Sequence, residues 1–115
     1  MRHEQHRFPI DVRTGWVDYS PALRYHASQR IRSSLADFAS RIRSVTVRIS
    51  DDEPHEPTQR RCDIAVMTTH AGPVSASSVG VNLFMLVDRA VDSVMEMLRH
   101  RASAEPHSEM RQRIA

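Results

Sequence analysis

Arginine is the residue type in this sequence whose number and spacing best suit binding chemistry. All 16 basic residues are arginine, and residues 20 to 43 carry five of them against one acid, which gives five minus one, or +4. The guanidinium group stays charged at any working pH and donates two parallel hydrogen bonds to a phosphate. Two interpretations stay open: the arginines contact a phosphate backbone, or their stems cover apolar surface and keep a helix soluble. The five are Arg24, Arg30, Arg32, Arg41 and Arg43.

Acidic and nucleophilic residues offer weaker candidates. Asp88, Asp92 and Glu96 recur four positions apart and so share one helix face, which could serve acid–base or metal chemistry. No catalytic constellation accompanies them, and a solvated helix face is the preferred interpretation. The single cysteine, Cys62, lies in an alternating apolar run and is predicted to be a small buried hydrophobe. With 3 glycines there is no phosphate-binding glycine loop, and neither a Cys-x-x-Cys pair nor a set of ligands at metal spacing occurs. Neither an enzyme nor a bound cofactor or metal is therefore expected.

The size and composition of the chain are those of one ordinary globular domain. It has 115 residues and a mass of 13.2 kDa, with 40% hydrophobic residues and a net charge of +2, which predicts one core. No apolar run approaches the roughly 18 residues of a membrane span, and the opening residues MRHEQHRF lack the apolar centre of a secretory signal. A cytoplasmic location is therefore expected.

Apolar periodicity predicts six secondary-structure elements. Alternation with period 2 indicates strands, and apolar residues three or four positions apart indicate helices. Ser20 before Pro21 predicts the start of the first helix, and Asn82 is a plausible N-cap of the second. The predicted elements are strands at 8–13, 45–50, 61–69 and 73–81 and helices at 20–42 and 83–101, followed by a flexible tail at 102–115.

Each predicted helix carries one apolar stripe. Both stripes can be buried on the same face of one four-stranded sheet, which predicts an α+β two-layer sandwich of order β-α-β-β-β-α over residues 1–101. The stripes are Leu23, Ala27, Ile31, Leu35, Phe38 and Ile42 in the first helix, and Phe84, Val87, Val91, Val94, Met95 and Leu98, widened by Leu83, Ala90 and Met97, in the second. The other sheet face, predicted to meet solvent or a partner, carries Asp11, Arg13, Thr46, Arg48, Asp63 and Met67.

Three segments together resemble a known family. They are VDYSPALRYHASQRI entering the first helix, RCDIAV in the third strand, and GPVSASSVGVNLFMLVDRAVDSVMEML closing the domain. With the element order, they resemble the ribosome hibernation promoting factors, also described as ribosome-associated translation inhibitors or sigma-54 modulation proteins. The similarity spans residues 8 to 101, and its most specific part is the register of Asn82, Phe84, Val87 and Asp88.

The resemblance implies a non-enzymatic protein that binds the small ribosomal subunit in the channel used by tRNA and messenger RNA. Such a protein would hold ribosomes idle during stress, and the length resembles the short form of the family, without its dimerisation domain. Arg24 and Arg30 stand where the family has basic residues, so they are the first candidates for contacts to ribosomal RNA. Their charge reversal is expected to abolish ribosome binding and to leave thermal stability nearly unchanged.

The second predicted helix departs from the family pattern. Ser93 and Glu96 stand where the family commonly has basic residues, and Arg89, Arg99 and Arg101 are candidates for RNA contacts from shifted positions. An alternative therefore stays open, in which the fold is kept but serves as a protein-interaction or regulatory module. Neither DNA nor a membrane is an expected partner. A weak homodimer through the open sheet face is a further possibility.

Overall fold

The computed structural model describes residues 8–14, 21–51 and 59–114, with side chains described up to Arg101 in the last range. The elements follow in the predicted order β-α-β-β-β-α, and a 3-10 helix is added after the first α-helix. The predicted N-cap Ser20 lies outside the described residues. The elements are β1 Ile10–Arg13, α1 Pro21–Ser34, the 3-10 helix Ala36–Arg41, β2 Ile42–Asp51, β3 Arg60–Thr68, β4 Pro73–Gly80 and α2 Leu83–Ile114.

The four strands form one mixed sheet in the order β1-β2-β3-β4. β1 runs parallel to β2, with Val12 opposite Val47, while β3 is antiparallel to both of its neighbours. The parallel pair follows from the crossover through α1, since parallel strands cannot be joined by a hairpin. The β3–β4 turn needs Gly72 at φ +79°, and the Thr68 hydroxyl ties this turn by accepting from Ala71 N and donating to Gly72 O.

The core lies between one sheet face and the two α-helices. The period-2 pattern of β2 and β3 places alternate side chains in this core, and α1 and α2 each bury one stripe against them. The predicted two-layer α+β sandwich is thereby confirmed. The largest fully buried side chains are Leu23, Ile31, Leu35, Val45, Val47, Ile49, Ile64, Val66, Leu86, Val87, Val91 and Val94.

The prediction of one continuous helix over 20–42 is wrong. The α-helix ends at Ser34, a 3-10 helix follows, and Ile42 is the first residue of β2. Leu35 and Ile42 are both buried, so both satisfy the helical spacing although they reach the core from different elements. The Ser33 hydroxyl donates to Arg30 O near this helix end, where a serine side chain competes for backbone hydrogen bonds.

The apolar stripe of α2 is rotated relative to the prediction. Phe84 and Met97 were predicted in the core but are 41% and 40% exposed, whereas Leu86, absent from the predicted stripe, is 1% exposed. Leu86 fits because the residues of β4 beneath it have small side chains or none. Its Cδ2 lies 3.1 Å from where a Gly80 Cβ would be, and its carbonyl accepts from the Ser78 hydroxyl at 2.7 Å.

The start of α2 agrees with the prediction, and its end does not. The Asn82 N-cap is confirmed, because its Oδ1 accepts from Met85 N at 3.2 Å. The helix was predicted to end near Arg101 but continues to Ile114. Flexibility of residues 102–115 stays a prediction.

Candidate nucleic-acid interface

Two arginines of α1 attach this helix to β1 and to the segment directly before it. The Arg24 guanidinium donates to Val12 O at 3.0 Å, and that of Arg32 donates to Phe8 O at 3.2 Å. The Arg32 guanidinium carbon also lies 5.7 Å from the centroid of the Phe8 ring, within range of a cation–π contact. Both side chains therefore have a structural use in joining α1 to the sheet edge.

Arg30 points to α2 and forms the centre of a polar cluster between the helices. Its Nη2 donates to Asp92 Oδ1 at 2.9 Å, and its Nε lies 3.5 Å from Asp88 Oδ1. The same Asp88 oxygen accepts from His26 Nε2 at 2.8 Å, and the His26 ring packs edge-on against Phe84 with centroids 5.0 Å apart. We call these five residues the interhelical cluster.

The interhelical cluster corrects the interpretation of the acidic row on α2. Asp88 and Asp92 are not simply a solvated face, because each accepts from a side chain of α1. Glu96, one turn further on, pairs instead with Arg99 at 3.2 Å on its own helix. The charge of Arg30 is therefore largely balanced within the molecule, and an incoming phosphate would compete with two carboxylates for it.

A different set of basic residues gathers at the β3–β4 turn. Arg41 ends the 3-10 helix, and its carbonyl accepts from Thr69 N at 2.9 Å, which brings that segment to the turn. Arg43 follows at the register shift of β2, and the Arg101 guanidinium donates to Ala71 O in the turn. We call Arg41, Arg43, His70 and Arg101 the turn-end basic cluster. All four side chains are exposed.

Within the described residues, the Arg41 and Arg43 side chains have no hydrogen bond or ion pair. The same holds for Arg89, whose Nη1 lies 4.0 Å from where a Gly80 Cβ would be. When they meet an anion, these guanidinium groups therefore give up no hydrogen bond or ion pair to the part of the chain that the structure describes. They are therefore better placed than Arg24 or Arg30 to contact phosphates.

The open sheet face carries further arginines, most of them paired. Arg13 pairs with Asp11 at 2.7 Å and Arg61 with Asp63 at 3.1 Å, whereas Arg48 has no ion pair within the described residues. The expected exposure of this face is confirmed by the strand burial patterns. Arg48 was not among the candidate site residues. The sequence feature that could have identified Arg48 is its outward position in an alternating strand.

Other chemistry has little support in the described part of the chain. No group of three or more His, Cys, Asp or Glu side chains able to hold a metal occurs there. Cys62 is buried, as predicted, and burial together with the nearby Asp63 carboxylate raises its pKa to about 12. The thiol therefore stays protonated at neutral pH and is a poor nucleophile. None of the helices described is both long and apolar enough to cross a membrane.

The fold matches two solved structures over most of this chain. One is a ribosomal subunit interface protein from Coxiella burnetii, with a TM-score of 0.72 and 16% identity over 83% of this chain and 98% of that one. The other is the N-terminal domain of Protein Y from Thermus thermophilus, with a TM-score of 0.63 and 17% identity over 81% of this chain and 93% of that one. This chain has their fold.

Sequence comparison alone does not detect the similarity to these two structures. No family model matches the chain, and no curated protein matches it significantly in sequence. At 16% and 17% identity the two structural neighbours establish the fold. The resemblance drawn from the sequence segments is therefore confirmed at the level of architecture.

Proposed function

We propose that this chain binds the small ribosomal subunit, occupies the tRNA and messenger RNA channel, and holds the ribosome idle. The observation that carries the proposal is the fold shared with a ribosomal subunit interface protein, which this chain covers over 98% of its length. The fold alone does not set a function. The second support is therefore the distribution of arginines, whose guanidinium groups suit the phosphates of ribosomal RNA.

The turn-end basic cluster is the proposed centre of the RNA interface. Arg41 and Arg43 are exposed and make no competing contact within the described residues, so their full charge is available to a phosphate. Arg30 would first have to leave Asp88 and Asp92. We therefore rank Arg41 and Arg43 above Arg24 and Arg30, which the family resemblance places first.

The acidic residue Glu96 does not by itself oppose this interface. Glu96 stands where the resemblance implies a basic residue, but Arg99 lies 3.2 Å from its carboxylate. The pair is exposed and nearly neutral as a unit. Arg89 supplies a positive charge on the same helix, and we include it with Arg99 and Arg101 among the proposed RNA contacts.

Variants in a ribosome co-sedimentation assay test the proposal. We expect Arg41→Glu and Arg43→Glu each to reduce co-migration with the small subunit several-fold at moderate salt, because a phosphate contact becomes a repulsion. Arg48→Glu is the matched control, since Arg48 is also exposed and without an ion pair in the described structure but lies further along β2, beside Arg13 and Asp63 on the open sheet face. Equal losses for all three variants would argue against a specific interface.

One observation favours the alternative of a protein-interaction module. Three of the candidate arginines, Arg24, Arg30 and Arg32, are engaged within the molecule, which reduces the number available for RNA. If this alternative holds, wild-type protein fails to co-migrate with ribosomes even at low salt. Binding to a partner through apolar contacts would then persist at high salt, because salt screens charges and not apolar contacts.

A further inference from the structure

The strand β4 forms an edge of the sheet that lacks the usual protection against pairing. β3 lies on one side of it, and no described strand lies on the other. Its eight residues, Pro73–Gly80, include no charged side chain, and its register with β3 runs without a shift. Edge strands are normally blunted by charges, prolines, bulges or short length. In β4 only the first residue, Pro73, has this effect, so most of the edge is open to a further strand.

The opposite edge of the sheet is protected. β1 has four residues, Ile10–Arg13, of which Asp11 and Arg13 are charged and exposed. Pro9, directly before this strand, cannot donate to a ladder. A strand that joins the sheet is therefore expected at β4 and not at β1.

The helix α2 runs above β4 in the opposite direction. The Ser78 hydroxyl donates to Leu86 O near the start of the helix, and the Arg101 guanidinium donates to Ala71 O just before the strand. The middle of β4 therefore lies under Arg89. A strand added to β4 would present every second side chain to the side of α2 that faces away from α1.

Two features of α2 would meet those side chains. The first is the exposed Arg89 guanidinium near Gly80, which has no hydrogen bond or ion pair within the described residues. The second is a depression of about 420 Å³ at the other end of β4, in which Met97 is exposed. The depression is lined by Ser93, Glu96, Met97, His100 and Arg101. Arg89 suits an acidic side chain, and Met97 suits an apolar one.

The spacing of these two features fits one face of an extended strand. Arg89 and Met97 lie eight residues apart on α2, which is about 12 Å at about 1.5 Å per residue. A strand covers this distance in about four residues, at about 3.3 Å each. Residues separated by an even number point to the same face of a strand. One added strand can therefore reach both features.

We propose that β4 binds an extended peptide segment of a partner protein as an added antiparallel strand. Its acidic side chain pairs with Arg89, and an apolar side chain about four residues later contacts Met97. The acidic residue comes first because a strand antiparallel to β4 runs in the direction of α2. In this mode of binding, main-chain hydrogen bonds give affinity and pockets for alternate side chains give specificity. The proposal goes beyond ribosome binding and does not depend on it.

Charge favours an acidic peptide over a second copy of this chain. Arg89 and Arg101 are both positive on this side of α2, and the acid Glu96 is already paired with Arg99 at 3.2 Å. Two copies joined about the middle of β4 would bring Arg89 against Arg89, because a two-fold axis repeats each contact. Like charges directly opposite each other are destabilising.

Fluorescence polarisation of a labelled peptide measures this binding to the full chain. The probe is Thr-Asp-Thr-Val-Thr-Leu-Thr with blocked ends, which places the acidic and apolar side chains on one face of a strand. The matched control peptide exchanges Asp and Leu, so that composition and charge are kept and the order is reversed. We expect the probe to bind about fivefold or more tightly than the control, because only the probe meets Arg89 and Met97 in the antiparallel order.

Three protein variants test the two contacts. Arg89→Glu should weaken binding of the probe about fivefold or more, and a probe with Arg in place of Asp should restore it. Met97→Glu should also weaken binding, because it puts a charge where the apolar side chain lies. Arg48→Glu, on the open sheet face, is the matched control and should bind the probe as wild-type protein does. A thermal melt of each variant checks folding, since all three side chains are exposed.

A probe methylated on its main-chain nitrogens tests the strand pairing itself. It keeps every side chain but cannot donate to β4, so it should not bind. The proposal is overturned if wild-type protein does not bind the probe up to about 1 mM. It is equally overturned if the methylated or reversed peptide binds as well as the probe, or if Arg89→Glu has no effect. A wild-type dimer in analytical ultracentrifugation that Met97→Glu disrupts would assign the face to a second copy and would also overturn it.

Discussion

Replacing Leu86 by alanine should destabilise the fold far more than replacing Phe84, although Phe84 is the larger side chain. Leu86 is 1% exposed and Phe84 is 41% exposed. Leu86→Ala removes three carbons, worth about 2.4 kcal/mol at about 0.8 kcal/mol each. The cavity above β4 adds to this, so we expect a loss of about 3 to 4 kcal/mol in the free energy of unfolding.

Phe84→Ala removes a ring that solvent already reaches. Its specific contact is the edge-on packing against His26, and such ring pairs contribute about 0.5 to 1.5 kcal/mol. We expect a total loss of about 1 to 2 kcal/mol, part of it from apolar area at the buried side of the ring. Leu86→Ala should therefore be the more destabilising variant by at least about 1 kcal/mol.

Urea unfolding followed by circular dichroism measures both variants under the same conditions. In a thermal melt of the same variants, a loss of about 3 kcal/mol should lower Tm by roughly 12 °C, at about 4 °C per kcal/mol for a domain of this size. The rotation of α2 described above is refuted if Phe84→Ala lowers stability more than Leu86→Ala. That order is what the apolar stripe inferred from sequence periodicity would give.

Three further outcomes follow from the structure. Gly80→Ala should cost about 1 kcal/mol in urea unfolding, because the new Cβ would lie 3.1 Å from Leu86 Cδ2; an unchanged midpoint would show that Leu86 moves freely. A double-mutant cycle of Arg30→Ala and Asp92→Ala should give a coupling below about 1 kcal/mol, since the pair is at the surface; a larger value would mean that the bridge is effectively buried. Cys62 should react with a thiol reagent only on unfolding, and rapid modification of folded protein at pH 8 would contradict its burial.

The raised pKa of Cys62 also gives the sign of a pH effect. The folded pKa is about 12, above the ordinary thiol pKa of 9.0, so the folded state holds the proton more tightly than the unfolded state. This contribution to stability is fully present below pH 9.0 and is lost as pH rises towards about 12.

The sheet could be predicted from the sequence because its signal is local. Cys62, Ile64 and Val66 alternate with outward residues, and the structure buries all three. A period of two leaves no choice about which side chains share a face. The four strands were therefore placed within a few residues of their observed bounds, with β2 the longest extension beyond the prediction.

The end of α1 and the rotation of α2 depend on what lies beneath each helix. Ile42 satisfies the spacing of a helix and also the inward position of a strand, so periodicity alone does not separate the two. Leu86 is buried because Gly80 leaves room on β4. Such information comes from a neighbouring element and is absent from the helical segment itself.

The candidate site was predictable in composition and only partly in geometry. The excess of arginine over residues 20–43 is visible in the sequence, yet Arg30 is balanced by Asp88 and Asp92, which lie about sixty residues away along the chain. Arg41 and Arg43 have no such partner within the described structure. Long-range pairing of this kind follows from the packing of α1 against α2 and not from any local pattern.

The salt dependence of ribosome binding by the wild-type protein tests the proposed function most directly. Sucrose-gradient sedimentation with purified ribosomes, repeated from about 50 to 500 mM salt, measures how binding falls as phosphate contacts are screened. We expect co-migration with the small subunit that declines steeply with salt, and linearly when both are plotted on logarithmic axes. No co-migration at the lowest salt, or binding that is indifferent to salt, would contradict it.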